Sequence, residues 1–182
     1  MRAIVIALLL LLEMLSSTSD GWCGSPDAGW KAVGVRAGTS ATARSEIFHQ
    51  YEAYTTYGLP WSLRADSGWG VALQLNAAIG ALHSGEETAL IAALGPGVIL
   101  DKGGKGVAFE LGGDLNHLTK DRFGLVYFNG HLLFDGHIGI AYRFASGPGI
   151  AYRFQHMSNG GLNGKRNSGL DLHMLGLSWN FP

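Results

Sequence analysis

The chain has 182 residues, room for one domain of the usual ~100–200 residues once any leader is removed. Glycine fills 28 positions, charged residues make up 15% and aromatics 10%, and 13 Lys+Arg against 14 Asp+Glu leave a formal charge of -1. Intrinsic disorder is excluded by the apolar and aromatic content. A nucleic-acid partner is not expected without a basic excess, and a single cysteine rules out an internal disulfide framework or a cysteine-rich zinc site.

The chain opens with Met1-Arg2-Ala3 and an apolar run from Ile4 to Leu12, followed by Ser16, Ser17, Thr18 and Ser19. This pattern predicts a signal peptide over 1–19 with cleavage near Ser19; the run is too short to cross a bilayer as a helix. Residues 20–29 are expected to form a short periplasmic segment. Cys23 follows Trp22 rather than a small residue, so it is expected to be a free thiol and not a lipid-attachment site.

No later segment offers 18 consecutive apolar residues, so a helical membrane protein is not expected. Alternation runs through residues 30–182 instead. Ile150, Tyr152 and Phe154 share one parity and Ala151, Arg153 and Gln155 the other. The stretch before them does the same, Phe134, Ile138, Ile140, Tyr142 and Phe144 alternating with Asp135, His137 and Arg143. Period two is the mark of a strand with one apolar face. Reading outward from this hairpin predicts strands near 30–39, 46–56, 68–81, 88–99, 105–116, 132–144, 149–157 and 170–181. The stretches 101–104 and 145–148 are tight turns by composition, and 117–131 and 159–169 are longer polar loops.

Short turns at one end and longer loops at the other fit an all-β fold, an eight-stranded antiparallel transmembrane β-barrel of the outer membrane. The opposite parity carries Glu110, Asp114, Asn116, Asp135, His137, Arg143 and Arg153, which suits a polar lumen where opposite charges pair. Tyr142, Phe144, Trp179 and Phe181 suit an interfacial girdle. A soluble periplasmic lipid-binding barrel would need the two faces exchanged.

His49, His83, His117, His131, His137 and His173 sit alone or in loops without metal-ligand spacing, so no metal site and no cofactor is predicted. Gly103-Gly104-Lys105-Gly106 lacks the strand-to-helix setting of a nucleotide loop, and no G-x-S-x-G elbow is present. His156-Met157-Ser158 differs, because residues two apart on a strand share a face, here the lipid-facing one. Polar groups on a wall meant for acyl chains point to function. Extending the outward row Leu175, Leu177, Trp179, Phe181 back through His173 brings Asp171 to the same face and the same end. Acid, imidazole and hydroxyl then converge as Asp171, His156 and Ser158, an arrangement in which the carboxylate orients the imidazole and the imidazole takes the serine proton. Asn159, Gly160 and Gly161 follow directly and could supply an amide and unhindered backbone N–H groups for an oxyanion.

His156-Met157-Ser158-Asn159-Gly160, then Asn167-Ser168-Gly169-Leu170-Asp171 and a final aromatic strand, resembles the lipid A 3-O-deacylase (PagL-type) family of outer-membrane acyl hydrolases. Phe134 to Phe144 and Tyr152-Arg153-Phe154 are also similar to that family, whereas the upstream part is only barrel-like. The resemblance implies an eight-stranded barrel that removes an ester-linked acyl chain from lipid A with a His/Ser/Glu triad on its outer side near the extracellular rim. It implies Ser158 as nucleophile and His156 as general base, with lipid A or lipopolysaccharide as substrate in outer-membrane lipid; homodimerisation is left open. This sequence departs from the pattern at the third position, where Asp171 stands for glutamate and is shifted by one residue. The rival expectation is a non-enzymatic structural or adhesin-like barrel, in which His-x-Ser-Asn merely begins a loop.

Overall fold

In the computed structural model, which describes residues 28–41, 46–162 and 168–181, each alternating stretch is a strand. The leader, its cleavage near Ser19 and Cys23 lie outside the described residues. The elements are β1 (Gly29–Ser40), β2 (His49–Arg64), β3 (Gly70–Ser84), β4 (Glu87–Asp101), β5 (Gly106–Leu118), β6 (Arg122–Phe123), β7 (Val126–Tyr127), β8 (Leu132–Arg143), β9 (Pro148–Ser158) and β10 (Leu170–Asn180). Eight of them close an antiparallel barrel in the order β1-β10-β9-β8-β5-β4-β3-β2. Closure runs from Ala32 opposite Asn180 to Ser40 opposite Leu172. β2 continues past its expected end because the pairing with β3 shifts between Gly58 and Ser62, a bulge that accommodates Pro60. The stretch 117–131, expected to be loop, holds the small β6–β7 hairpin.

The turns 65–69, 102–105 and 144–147 lie at one end, and β1, β3, β5 and β9 run out at the other, where 85–86 and 119–131 make connections. Along most of the wall the alternation has the expected sense. Leu175, Ala37, Tyr51, Ala81 and Leu90 form one transverse row on the outside of β10, β1, β2, β3 and β4. Inside, Arg36 pairs with Glu52 and Arg153 with Glu110, and toward the turns Arg64 and Arg143 both hold Asp101. Trp30, Trp61, Trp69, Tyr142, Phe144, Trp179 and Phe181 are exposed near the turn end and form the girdle.

At the loop end the two faces exchange character. The next outward row is His173, Thr39, His49, His83 and Thr88. The interior there is an apolar plug of Phe48, Leu82, Ile91, Leu118, Leu133, Met157, Leu172 and Met174, closed by Phe123 and Phe128 from the 119–131 connection. Phe48 and Phe123 meet edge to face with ring centres 5.3 Å apart. A polar lumen was the sequence expectation, so the apolar plug at this end is a correction, and its cause is strand length. A transmembrane strand needs ~9–11 residues, whereas these run from 11 to 16. The surplus projects past the acyl layer, where water is outside and burial is inside.

Candidate functional site

β9 and β10 pair with Leu170 opposite Met157, Asp171 opposite His156 and His173 opposite Phe154. Met157, Gln155 and Arg153 are buried inside, which turns Ser158, His156, Phe154 and Tyr152 outward. On β10 Leu170, Leu172 and Met174 are buried, which turns Asp171 and His173 outward. The structure therefore brings His156, Ser158 and Asp171 onto one outer face at the loop end.

His156 Nδ1 donates to Asp171 Oδ1 at 2.6 Å. Direct cross-strand placement lets the shorter aspartate reach the ring without a longer stem. The His156 side chain is 54% exposed. Ser158 and His156 are about 6.7 Å apart along the strand, and Ser158 Oγ has no hydrogen bond to His156 among the described residues. The imidazole leans toward Gly169 on the neighbouring chain segment. It occupies space beside Gly169, one residue beyond the Leu170–Met157 pair, where a Cβ would lie 2.7 Å from Cε1 and 3.3 Å from Nε2. Gly169 thus leaves the cavity into which the ring tilts.

On the other side β8 supplies Phe134 opposite Ser158, Gly136 opposite His156 and Ile138 opposite Phe154. Nothing occupies the space a Cβ would take at Gly136, so a notch opens next to His156 between exposed Phe134 and Ile138. Below the pair, Tyr152 and His173 join through the phenol oxygen and Nδ1 at 2.6 Å, and His173 packs against Phe154 with ring centres 5.5 Å apart. The site is apolar toward β8 and polar toward β10, at the level where the outer wall changes character.

Asn159, Gly160 and Gly161 form a tight turn, with Leu162 N–H donating to Asn159 O at 3.1 Å and both glycines at positive φ, 61° and 80°. Two successive left-handed residues make glycine the natural choice. The Asn159 side chain does a different job from the amide donor the sequence suggested. It is fully buried, its Nδ2 donates to Phe128 O at 2.9 Å and its Oδ1 accepts from Gly161 N–H at 2.8 Å. It ties the 159–169 connection to the 119–131 connection and faces away from the outer site. Phe128 and Gly136 carried no signal in the chain as parts of the site, since each depends on register or on a distant loop.

A second polar cluster, Asp114, Asp135 and His137, lies inside the barrel with candidate ligand atoms within 4.8 Å of one another. His137 was read as solitary, and the correction follows from register: Asp114 and Asp135 face each other across β5 and β8.

Comparison with known proteins gives three findings. The model of the lipid A 3-O-deacylase (PagL) family matches residues 49–180. The crystal structure of the outer membrane enzyme PagL is similar with a TM-score of 0.67 at 22% identity, covering 81% of this chain and 99% of that one. The crystal structure of Neisserial surface protein A is similar with a TM-score of 0.52 at 14% identity, covering 89% of this chain and 100% of that one. No curated protein matches the chain.

Proposed function

The chain belongs to the lipid A 3-O-deacylase family, and from that premise we propose that it is an outer-membrane serine esterase that hydrolyses the 3-O-linked acyl chain of lipid A. The observation that carries the reading is the 2.6 Å contact of His156 Nδ1 with Asp171 on the outer face, at the level where the apolar outer wall gives way to polar residues. With Nδ1 engaged, Nε2 holds the lone pair that accepts the Ser158 proton. Catalytic hydrogen bonds that are long in the free protein tighten when substrate binds.

Ser158 Oγ attacks the ester carbonyl as His156 takes its proton, and Asp171 stabilises the imidazolium that forms. The tetrahedral oxyanion needs a preorganised donor. Asn159 is buried and Gly161 N–H is already used, so the Gly160 N–H is assigned this role. Collapse expels the sugar alkoxide, which takes the proton back from His156. Water then enters by the same base and releases the fatty acid. The notch over Gly136 gives the acyl chain a place against β8 while the sugar stays at the polar level of His173 and Thr39.

The test is mass spectrometry of lipid A from cells expressing the wild type or Ser158→Ala at matched levels of folded barrel. Loss of one hydroxyacyl group with the wild type alone is the expected result. Identical spectra, with a lipid A bearing the 3-position ester, would replace this reading with the non-enzymatic barrel. Neisserial surface protein A shares the fold alone and does not favour that alternative.

A further inference from the structure

The outer wall differs on the two sides of the catalytic pair. At the loop end of β8 the outward residues are Leu132 and Phe134. On the other side β10, β1, β2, β3 and β4 carry His173, Thr39, His49, His83 and Thr88 in one transverse row, each the cross-strand partner of the next. Neighbouring strands lie ~4.8 Å apart, so from His173 the row reaches His83 about 14 Å around the wall. Its hydrogen-bonding capacity is only partly used. His83 Nδ1 meets Thr88 Oγ1 at 2.9 Å and His173 Nδ1 meets the Tyr152 phenol at 2.6 Å, while the Nε2 of each and both nitrogens of His49 make no hydrogen bond among the described residues.

Directly beneath the row the same five strands enclose an apolar hollow of about 710 Å³ on the outside of the barrel. Leu175 and Leu177 bound it on one side and Leu90 on the other, with Ala37, Ala53 and Ala81 between them. β10 carries every level in succession, Asp171 and His173 above and Leu175 and Leu177 below, so hollow and row run without a break into the catalytic pair. A hollow open to acyl chains and capped at the water boundary by hydrogen-bonding side chains matches an amphiphile, with a place for each of its two parts. The notch over Gly136 takes the acyl chain that is cleaved, on the β8 side. The sugar and the acyl chains that stay on it are left to the β10 side.

Resting on the esterase reading, we propose that the uncleaved part of lipid A docks on this face. Its phosphorylated sugar lies along His173, Thr39, His49 and His83, and one retained acyl chain lies in the hollow over Ala53 and Ala81. Imidazoles and hydroxyls in a row give hydrogen bonds to sugar hydroxyls and phosphate oxygens, and the hollow adds apolar area removed from contact with other lipids. The face sets specificity and takes no part in the bond-breaking step. It separates lipid A from the phospholipids of the same membrane, whose single small headgroup does not reach from His156 on β9 to His49 on β2.

The test uses the full chain folded in detergent and carrying Ser158→Ala, so that lipid A is not consumed, with heat-dependent gel mobility certifying the barrel. Native mass spectrometry compares binding of lipid A and of phosphatidylethanolamine to this parent, to Ala53→Leu with Ala81→Leu, which fills the hollow with side chains that suit a lipid-facing wall, and to His49→Ala with His83→Ala. The parent is expected to prefer lipid A, and each double variant to bind it about tenfold more weakly. No preference in the parent, or undiminished binding in either variant, overturns the proposal; a filled hollow that changes only the oligomeric state assigns the face to a second copy of the chain instead. Should the variants not fold, lipid A with a photoreactive acyl chain, cross-linked to the parent, decides: adducts concentrated on β1 to β3 support the site, and adducts spread around the wall or confined to β8 overturn it. Fluorophosphonate labelling of Ser158 in the wild type reports on the esterase by itself, so its failure leaves the binding result standing.

Discussion

The middle of the wall and its loop end are made of the same strands with opposite rules. In the middle Leu177, Val35, Ala53 and Ile79 face outward while Arg36 and Glu52 pair inside. At the loop end Thr39, His49, His83 and His173 face outward while Phe48, Leu82 and Met157 are buried. Backbone parity is unbroken between the two, so the solvent on each side has changed and not the fold. The lesson concerns the position of the site. His156 and Asp171 are polar where the wall has just ceased to be apolar, which is the level the proposed ester chemistry requires.

Ser158→Ala is expected to lower deacylation by about 1,000-fold or more while the barrel still forms, measured on purified lipid A in detergent. A retained rate would remove the boundary site from the chemistry altogether. Phe48→Ala opens the apolar plug and is expected to cost ~3–5 kcal/mol in denaturant unfolding; a neutral result would mean that the loop-end interior is not a packed core. Gly169→Ala puts a Cβ where the imidazole now leans, 2.7 Å from Cε1. A displacement of about 1 Å predicts a loss near 100-fold in kcat with KM little changed, and stopped assays over a range of lipid concentrations separate the two. The smallest and sharpest contrast is Leu177→Lys against Thr39→Lys. The first places a charge on the lipid-facing wall and is expected to cost ~2–4 kcal/mol, the second ~0–1 kcal/mol. Equal costs in folding titrations into bilayers would show that the outer wall does not change character between these rows.

Much of this was readable in the chain, for reasons particular to each residue. Ile150, Tyr152 and Phe154 declare the parity of β9, and Leu175, Leu177 and Trp179 that of β10, so the shared outer face of His156, Ser158 and Asp171 follows from counting. The strand pairing does what the count could not: it sets Asp171 directly across from His156. The exchange of faces at the loop end was hidden because Leu170, Leu172 and Met174 are as apolar as the outward residues below them. Asn159 looked like a donor to substrate because its anchor, Phe128 O, comes from another loop. Asp114 and Asp135 were seen only as lumen carboxylates, since what makes them a pair is the register of β5 on β8.

Activation of Ser158 by His156 on the outer wall is the chemistry on which the proposed esterase depends. It is tested most directly by treating the barrel, in lipid, with a long-chain fluorophosphonate and mapping the adduct by peptide mass spectrometry. One adduct on Ser158 is expected in the wild type, lost in His156→Ala and strongly slowed in Asp171→Asn. An unlabelled Ser158, or labelling that is indifferent to His156, would contradict it.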